Sequence, residues 1–231
     1  MTVITITGMT GSGATEVGAK VARATGYDYV DRLILAEAAR VMGTSVAAMA
    51  DRTERSPTLS DRLGSFFRTV LERSAKAGSS GDPYYGAGTD ALLVREYRDI
   101  AEEGDPSAAS DAHLLEVTRS VITDLASAGN VVIIGRGSNL ILKDWPGVLH
   151  VGLEGSKEMR IQRLMEREQL DEASAGKYLI DTDRGREAYF RRLFHEKATN
   201  WLAYDLILNT DRLDDEQSLG IIVQAAGILA A

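Results

Sequence analysis

Cysteine is absent from this 231-residue chain. Its absence excludes disulfides, cysteine-ligated zinc and thiol catalysis. Histidine is scarce, and His113, His150 and His195 stand too far apart to show metal-ligand spacing. Long apolar runs are missing too. No stretch approaches the roughly 20 residues that span a bilayer. The most apolar segment, LGIIVQAAGILAA, is broken by Gly220, Gln224 and Gly227 and reads as a buried C-terminal helix or a subunit contact. The opening MTVITITGMTGSG has no basic region and no extended apolar core, so no signal peptide is expected and the expected compartment is the cytoplasm. Nor is there an excess of basic charge. The 34 acidic and 26 basic side chains leave a net charge of −8, which argues against nonspecific nucleic-acid binding. A local basic pocket for a small anion stays open.

What is present is ordinary globular composition, 44% hydrophobic and 26% charged. The length suits one compact domain, with or without a sizeable insertion. Thr2–Thr7 is β-branched and apolar and predicts a buried strand. A glycine cluster follows, then a helix over Thr15–Ala24 stopped by Gly26, a short strand over Tyr27–Val30, and a helix over Leu33–Met42. Residues 44–110 read as a helical insertion, with a helix over Leu59–Ala77 and two polar breaks, KAGSSGDPYYGAGT and EEGDPSAASD. Beyond it the pattern predicts a helix over Asp111–Ala128, strands over Val131–Ile134 and Val148–Leu153, and a basic helix over Lys157–Glu168. A long polar helix over Asp171–Phe194, a strand over Leu206–Leu208 and a closing helix from about Asp214 complete it. Short apolar strands alternating with helices imply a parallel sheet covered on both faces.

Four groups of residues could carry chemistry. The first is Gly8-Met9-Thr10-Gly11-Ser12-Gly13-Ala14-Thr15. It follows the phosphate-loop spacing of glycine, four residues, glycine, lysine, then serine or threonine, between a strand and a helix. Converging backbone N–H groups and the helix N-terminus suit such a loop to phosphate. Thr15 stands where a Mg²⁺-binding hydroxyl belongs, and Ala14 takes the place of the lysine. A tight turn without a ligand and a nonreactive anion site are the competing readings. The second is Gly135-Arg136-Gly137, at a strand's carboxyl end, where open α/β sheets bind ligands and an arginine can clamp phosphate. The third is the arginine series. Arg160, Arg163 and Arg167 share a helix face, and Arg184, Arg186, Arg191 and Arg192 follow in a locally basic stretch. They read either as a solvated helix laced with ion pairs or as a lid that neutralises a moving phosphoryl group. The fourth is Asp31-Arg32 after the second strand. There an arginine could hold an acceptor's phosphate, and an aspartate could orient a hydroxyl or cap the next helix.

Together TITGMTGSGATEVGAKVARATGYDYVDRLIL, VVIIGRGSNLILKD, VLHVGLEGSKEMRIQRLMERE, DTDRGREAYFRRLF and YDLILNTDRL resemble, in order, the cytidylate kinase-like proteins, relatives of the nucleoside monophosphate kinases. The likeness covers residues 2–42 and 111–229. It implies an α/β P-loop kinase fold: a single domain over 1–231, with a five-stranded parallel sheet, helices on both faces, and 44–110 as an acceptor-binding insertion. It implies γ-phosphoryl transfer from ATP with Mg²⁺ to a small-molecule acceptor such as CMP or dCMP. Gly8, Gly11, Ser12, Gly13, Ala14 and Thr15 would cradle the donor, with Thr15 at the metal. Asp31, Arg32 and Arg136 would face the acceptor, Asp183 would make an acceptor or a lid contact, and Arg136, Arg160, Arg163, Arg167 and Arg184 would serve transfer.

Two further readings stand beside the kinase. Ala14, and the lack of an acid closing the strand Val131–Ile134, fit a nucleotide-binding regulatory protein that has lost transfer. The apolar stripes of the last helix and of the helix bearing Phe66 and Phe67 fit either core packing or a homo-oligomer contact. Lys20 lies six residues beyond Ala14 and is expected to point away from the loop.

Overall fold

The computed structural model describes residues 2–31 and 108–230. The expected helices over Leu33–Met42 and Leu59–Ala77, and the expected insertion as far as residue 107, lie outside the described residues. Five strands form one parallel sheet. They are β1 (Val3–Gly8), β2 (Asp28–Val30), β3 (Val131–Ile134), β4 (Val148–Glu154) and β5 (Leu206–Asn209), in the order β2-β3-β1-β4-β5. The helices are α1 (Ala14–Thr25), α2 (Ala108–Ala128), α3 (Ser138–Ile141), α4 (Lys157–Glu168), α5 (Glu172–Phe194) and α6 (Asp215–Ala230). The parallel sheet covered on both faces is what the strand–helix rhythm implies, and its five strands are what the family resemblance implies.

Strand alternation builds the two cores. Val3 of β1 and Val131 and Ile133 of β3 face a cluster with Val121, Ile122 and Leu125 of α2 and Leu142 after α3. Ile4, Ile6, Val132 and Ile134 face the other side, where Val17 and Val21 of α1 and Ile222 of α6 pack. Both faces of β1 are therefore buried, and a parallel central strand reads as a continuous apolar run for that reason. The pairing of Val3 with Val131 and with Val148 fixes β1 between β3 and β4. The loops after these three strands share one edge of the sheet.

Most element ends fall within a residue or two of expectation. Two helix starts differ from it. Asp171 is the N-cap of α5 rather than its first residue, its carboxylate accepting the Ser174 N–H at 2.7 Å. That bond holds its pKa below the ordinary aspartate value. Helix α2 begins at Ala108, so the end of the polar break EEGDPSAASD is already helical. Ser156 caps α4 in the same way as Asp171 caps α5, accepting from the Met159 N–H at 3.3 Å. The closing helix buries Ile222 and Ala226, whereas Ile228 and Leu229 near its end are exposed.

Candidate phosphate-transfer site

The glycine loop leaves β1 at the centre of the sheet and enters α1 through Gly13. Gly11 and Gly13 adopt left-handed φ of 80° and 87°, values an L-residue with a side chain rarely takes. The loop has no room for larger residues. A Cβ on Gly8 would lie 2.0 Å from Ser12 Oγ, and one on Gly11 would lie 2.6 Å from the Arg160 carbonyl. Ser12 is fully buried beneath the loop, and its hydroxyl has no hydrogen-bond partner among the described residues.

Opposite the loop lies a cleft that gathers residues from β1, α1, β3, α4 and α5. Gly8, Met9, Thr10, Gly11, Gly13, Ala14, Thr15 and Glu16 form one side, and Arg136, Arg167, Thr182, Arg186 and Phe190 form the other. Arg136 is 6% exposed and has φ 56° between Gly135 and Gly137, both also left-handed. A non-glycine residue in this region costs about 1–3 kcal/mol, a cost that recurs at functional sites. Its guanidinium carbon stands 5.8 Å from the centre of the Tyr189 ring.

Helix α4 lays its three arginines along the loop, and each ends differently. The Arg160 Nε donates to the Thr10 carbonyl at 2.8 Å, while its Nη2 reaches Asp183 Oδ1 and Oδ2 at 2.7 and 2.6 Å. Arg163 donates to Thr210 Oγ1 at 3.0 Å and to the Thr210 carbonyl at 2.8 Å. Arg167 lines the cleft mouth, 3.3 Å from Glu16 and 2.7 Å from Glu168. Arg184 sits apart, exposed beside Lys177 and Asp181 on an outer depression. Asp31 follows β2, half-buried, and is not among the residues lining the cleft; Arg32 lies outside the described residues. Lys20 points to α6, where it meets Glu216 at 2.9 Å and Asp215 at 3.3 Å.

Two further residues bear on the site: Arg186, which the sequence offers only as one of the arginine series, lines the cleft, and Glu154, which the sequence does not single out, interacts with Arg186 without lining it. Arg186 donates from Nη1 to the Gly8 carbonyl, and its guanidinium carbon lies 5.2 Å from the centre of the Phe190 ring. Its Nε is buried without a hydrogen-bond partner among the described residues. The other is Glu154 at the carboxyl end of β4, directly beside β1. Burial pushes its carboxyl up from the ordinary glutamate value, against the pull of Arg186 and Arg160. Burial likewise raises the Tyr204 phenol, opposed by Arg186. Glu154 is legible as the acid that ends an apolar run. Arg186 is legible as the member of the arginine series three residues after Asp183.

A loop of left-handed glycines, an orphaned serine hydroxyl and a buried guanidinium N–H fit the phosphates of a nucleotide. For a divalent ion the fit is narrower. Thr15 lines the cleft, and no cluster of three His, Cys, Asp or Glu suited to a metal occurs among the described residues. An ion there would rest on Thr15 and on the phosphates themselves.

The cytidylate kinase-like family model matches residues 3–212. The chain belongs to the cytidylate kinase-like family. The cytidylate kinase of Methanocaldococcus jannaschii is 26% identical over 106 residues, which cover 44% of this chain and 58% of that one. The uronate isomerase of Corynebacterium glutamicum is 28% identical over 117 residues, 51% of this chain but only 22% of that protein. The matched stretches thus span less than two thirds of either relative, 58% of one and 22% of the other. An uncharacterized protein from Eubacterium ventriosum shares the fold, with a TM-score of 0.62 at 17% identity over 98% of both chains. The family is thus one of kinase-like proteins. No helix among the described residues is long and apolar enough to cross a membrane.

Proposed function

We propose that this cytidylate kinase-like chain transfers the γ-phosphoryl group of ATP to a small-molecule acceptor, with a nucleoside monophosphate of the CMP or dCMP kind as the leading candidate. The observation that carries the reading is the meeting of the phosphate loop with Arg136, Arg167 and Arg186 in one cleft at the carboxyl edge of the sheet. Phosphoryl transfer needs positioning and charge more than covalent help. A loop with alanine at the lysine position must draw its positive charge from elsewhere. Arg186 is the best-placed source, since it already touches the first residue of the loop.

In this reading the loop from Gly8 to Thr15 binds the donor phosphates. When bound, Mg²⁺ on Thr15 neutralises phosphate charge. Arg186 and Arg167 stabilise charge on the group in flight. Arg136, placed by its left-handed backbone and by Tyr189, orients the acceptor's phosphate. The buried, apolar flank of Phe190 keeps water from the cleft and strengthens each charge contact.

The second reading, nucleotide binding without transfer, draws on Ala14 and on the absence of an acid after β3, where Gly135 follows Ile134. ATP turnover with Mg²⁺ over CMP, dCMP, UMP, AMP and non-nucleotide alcohols separates the two. The kinase reading expects phosphorylated product from one acceptor and its loss in Arg136→Ala. Measurable nucleotide affinity with no product from any acceptor overturns it.

A further inference from the structure

We infer that Arg160 is a positioning residue: it locks the Thr10 carbonyl away from the phosphate site, and Asp183 is the counter-charge that holds Arg160 to that task. The inference rests on the phosphate-binding reading of the loop, and it departs from what the family resemblance implies, which is transfer for Arg160 and an acceptor or lid contact for Asp183.

The geometry supporting it is local and closed. Arg160 is 7% exposed, and a buried guanidinium persists only where partners satisfy it. Its partners are the Thr10 carbonyl and both oxygens of Asp183. Both interactions are charge-assisted, the stronger kind of hydrogen bond. The backbone of the same residue presses on the loop, since its carbonyl leaves no space for a Cβ on Gly11. One residue of α4 therefore grips the loop twice, by side chain at Thr10 and by main chain at Gly11.

Helix α5 completes the grip. Asp183 and Arg186 stand three residues apart, on one face of α5. Through Arg160 the first holds the Thr10 carbonyl, and the second donates directly to the Gly8 carbonyl. An anion-binding loop must present its N–H groups and keep its carbonyl oxygens from the phosphate. Two guanidinium groups engage two of those carbonyls. With one nitrogen on a flexible stem, lysine cannot replace the fork that spans Thr10 and Asp183.

The test uses the full chain and three variants: Arg160→Lys, Asp183→Asn and the double variant Arg160→Met/Asp183→Asn, which removes both charges so that neither is left buried alone. Amide hydrogen exchange over Gly11–Ala14 without nucleotide reads the brace directly. Exchange roughly tenfold faster in the double variant, with the exchange of β3 unchanged, is expected. Isothermal titration with ATP should show affinity lower by roughly tenfold in Asp183→Asn and in the double variant, with Arg160→Lys between them and the wild type. In turnover, KM for ATP rises and KM for the acceptor holds. Unchanged exchange in the loop overturns the brace, whatever the chain binds. A rise in acceptor KM alone for Asp183→Asn overturns it too, because Asp183 then touches the acceptor. Fast exchange in the double variant, combined with no ATP binding by the wild type, upholds the brace and instead removes the nucleotide reading of the cleft.

Discussion

The Arg186 guanidinium donates to the carbonyl of Gly8, the residue at which β1 ends and the glycine loop begins. This single contact puts a cation from α5 against a loop that has alanine in the lysine position. Removing it tests whether α5 supplies the charge for transfer. In Arg186→Met, kcat should fall by roughly a hundredfold, the cost of losing one donor to transition-state charge. Arg186→Lys should recover part of it. A kcat within threefold of wild type in Arg186→Met, measured by steady-state kinetics, would assign the charge to another residue.

The complementary experiment restores the lysine. Ala14 is the first residue of α1 and lines the cleft, so Ala14→Lys should reach bound phosphate. One new charge-assisted bond is worth about 1.5–3 kcal/mol, or at least tenfold in ATP affinity. The informative variant is the double one. If Arg186 performs the lysine's role, Arg186→Met should cost far less in the Ala14→Lys background than alone. Additive losses in this cycle would show that the two positions act independently.

How much of this was legible beforehand follows from what sequence periodicity encodes. The central strand, the glycine loop and the helix caps are local signals, and β3 and α4 match their expected spans residue for residue. Periodicity also placed Arg160, Arg163 and Arg167 on one face. It could not say that this face lies against the loop, because that depends on how α4 crosses the sheet. Hence three arginines that look alike in sequence reach Thr10 and Asp183, Thr210, and Glu16. Glu154 lies one residue past the expected strand end at Leu153, and its raised pKa comes from burial, which no linear pattern shows.

The Glu16–Arg167 pair at the cleft mouth puts a carboxylate beside the expected path of the donor phosphates. Glu16→Gln removes that repulsion and leaves Arg167 with Glu168. ATP should bind a few-fold tighter, on the scale of about 1 kcal/mol for one such charge pair. Folding stability should shift by less than about 1 kcal/mol. Titration and urea unfolding read the two effects separately, and weaker ATP binding in Glu16→Gln would show that Glu16 positions Arg167 rather than restraining it.

Gly11 and Gly26 allow strain and crowding to be told apart. Both have positive φ, 80° and 69°, but a Cβ on Gly11 meets the Arg160 carbonyl at 2.6 Å, whereas one on Gly26 meets nothing within 4 Å. Gly26→Ala should cost about 1–2 kcal/mol, the conformational term alone. Gly11→Ala must also push the loop off α4, so its cost should be larger and ATP affinity should fall with it. Urea denaturation of both variants gives the comparison. Equal costs at the two positions would mean that the loop moves freely away from α4, and with it the grip of Arg160.

His150 provides a prediction independent of the cleft. It is buried in β4, with Nδ1 2.7 Å from the Thr5 hydroxyl of β1. Burial lowers its pKa below the ordinary 6.5, outweighing the opposite pull of the Asp205 carboxylate and a bond to the Leu142 backbone. The folded chain therefore resists the proton that the unfolded chain accepts. The associated stability is complete above pH 6.5 and is lost as pH falls below it, by up to about 1.4 kcal/mol per pH unit until the folded-state pKa is reached. Glu154 has the opposite sign. Its raised pKa means that stability falls as pH rises from 4.5, so the slope of the wild type alone mixes the two. The difference between wild type and His150→Gln isolates the histidine. Urea unfolding of both between pH 7.5 and 5 should show the wild type losing stability relative to the variant as the pH drops. Parallel curves would mean that the His150 site accepts the charged ring without penalty.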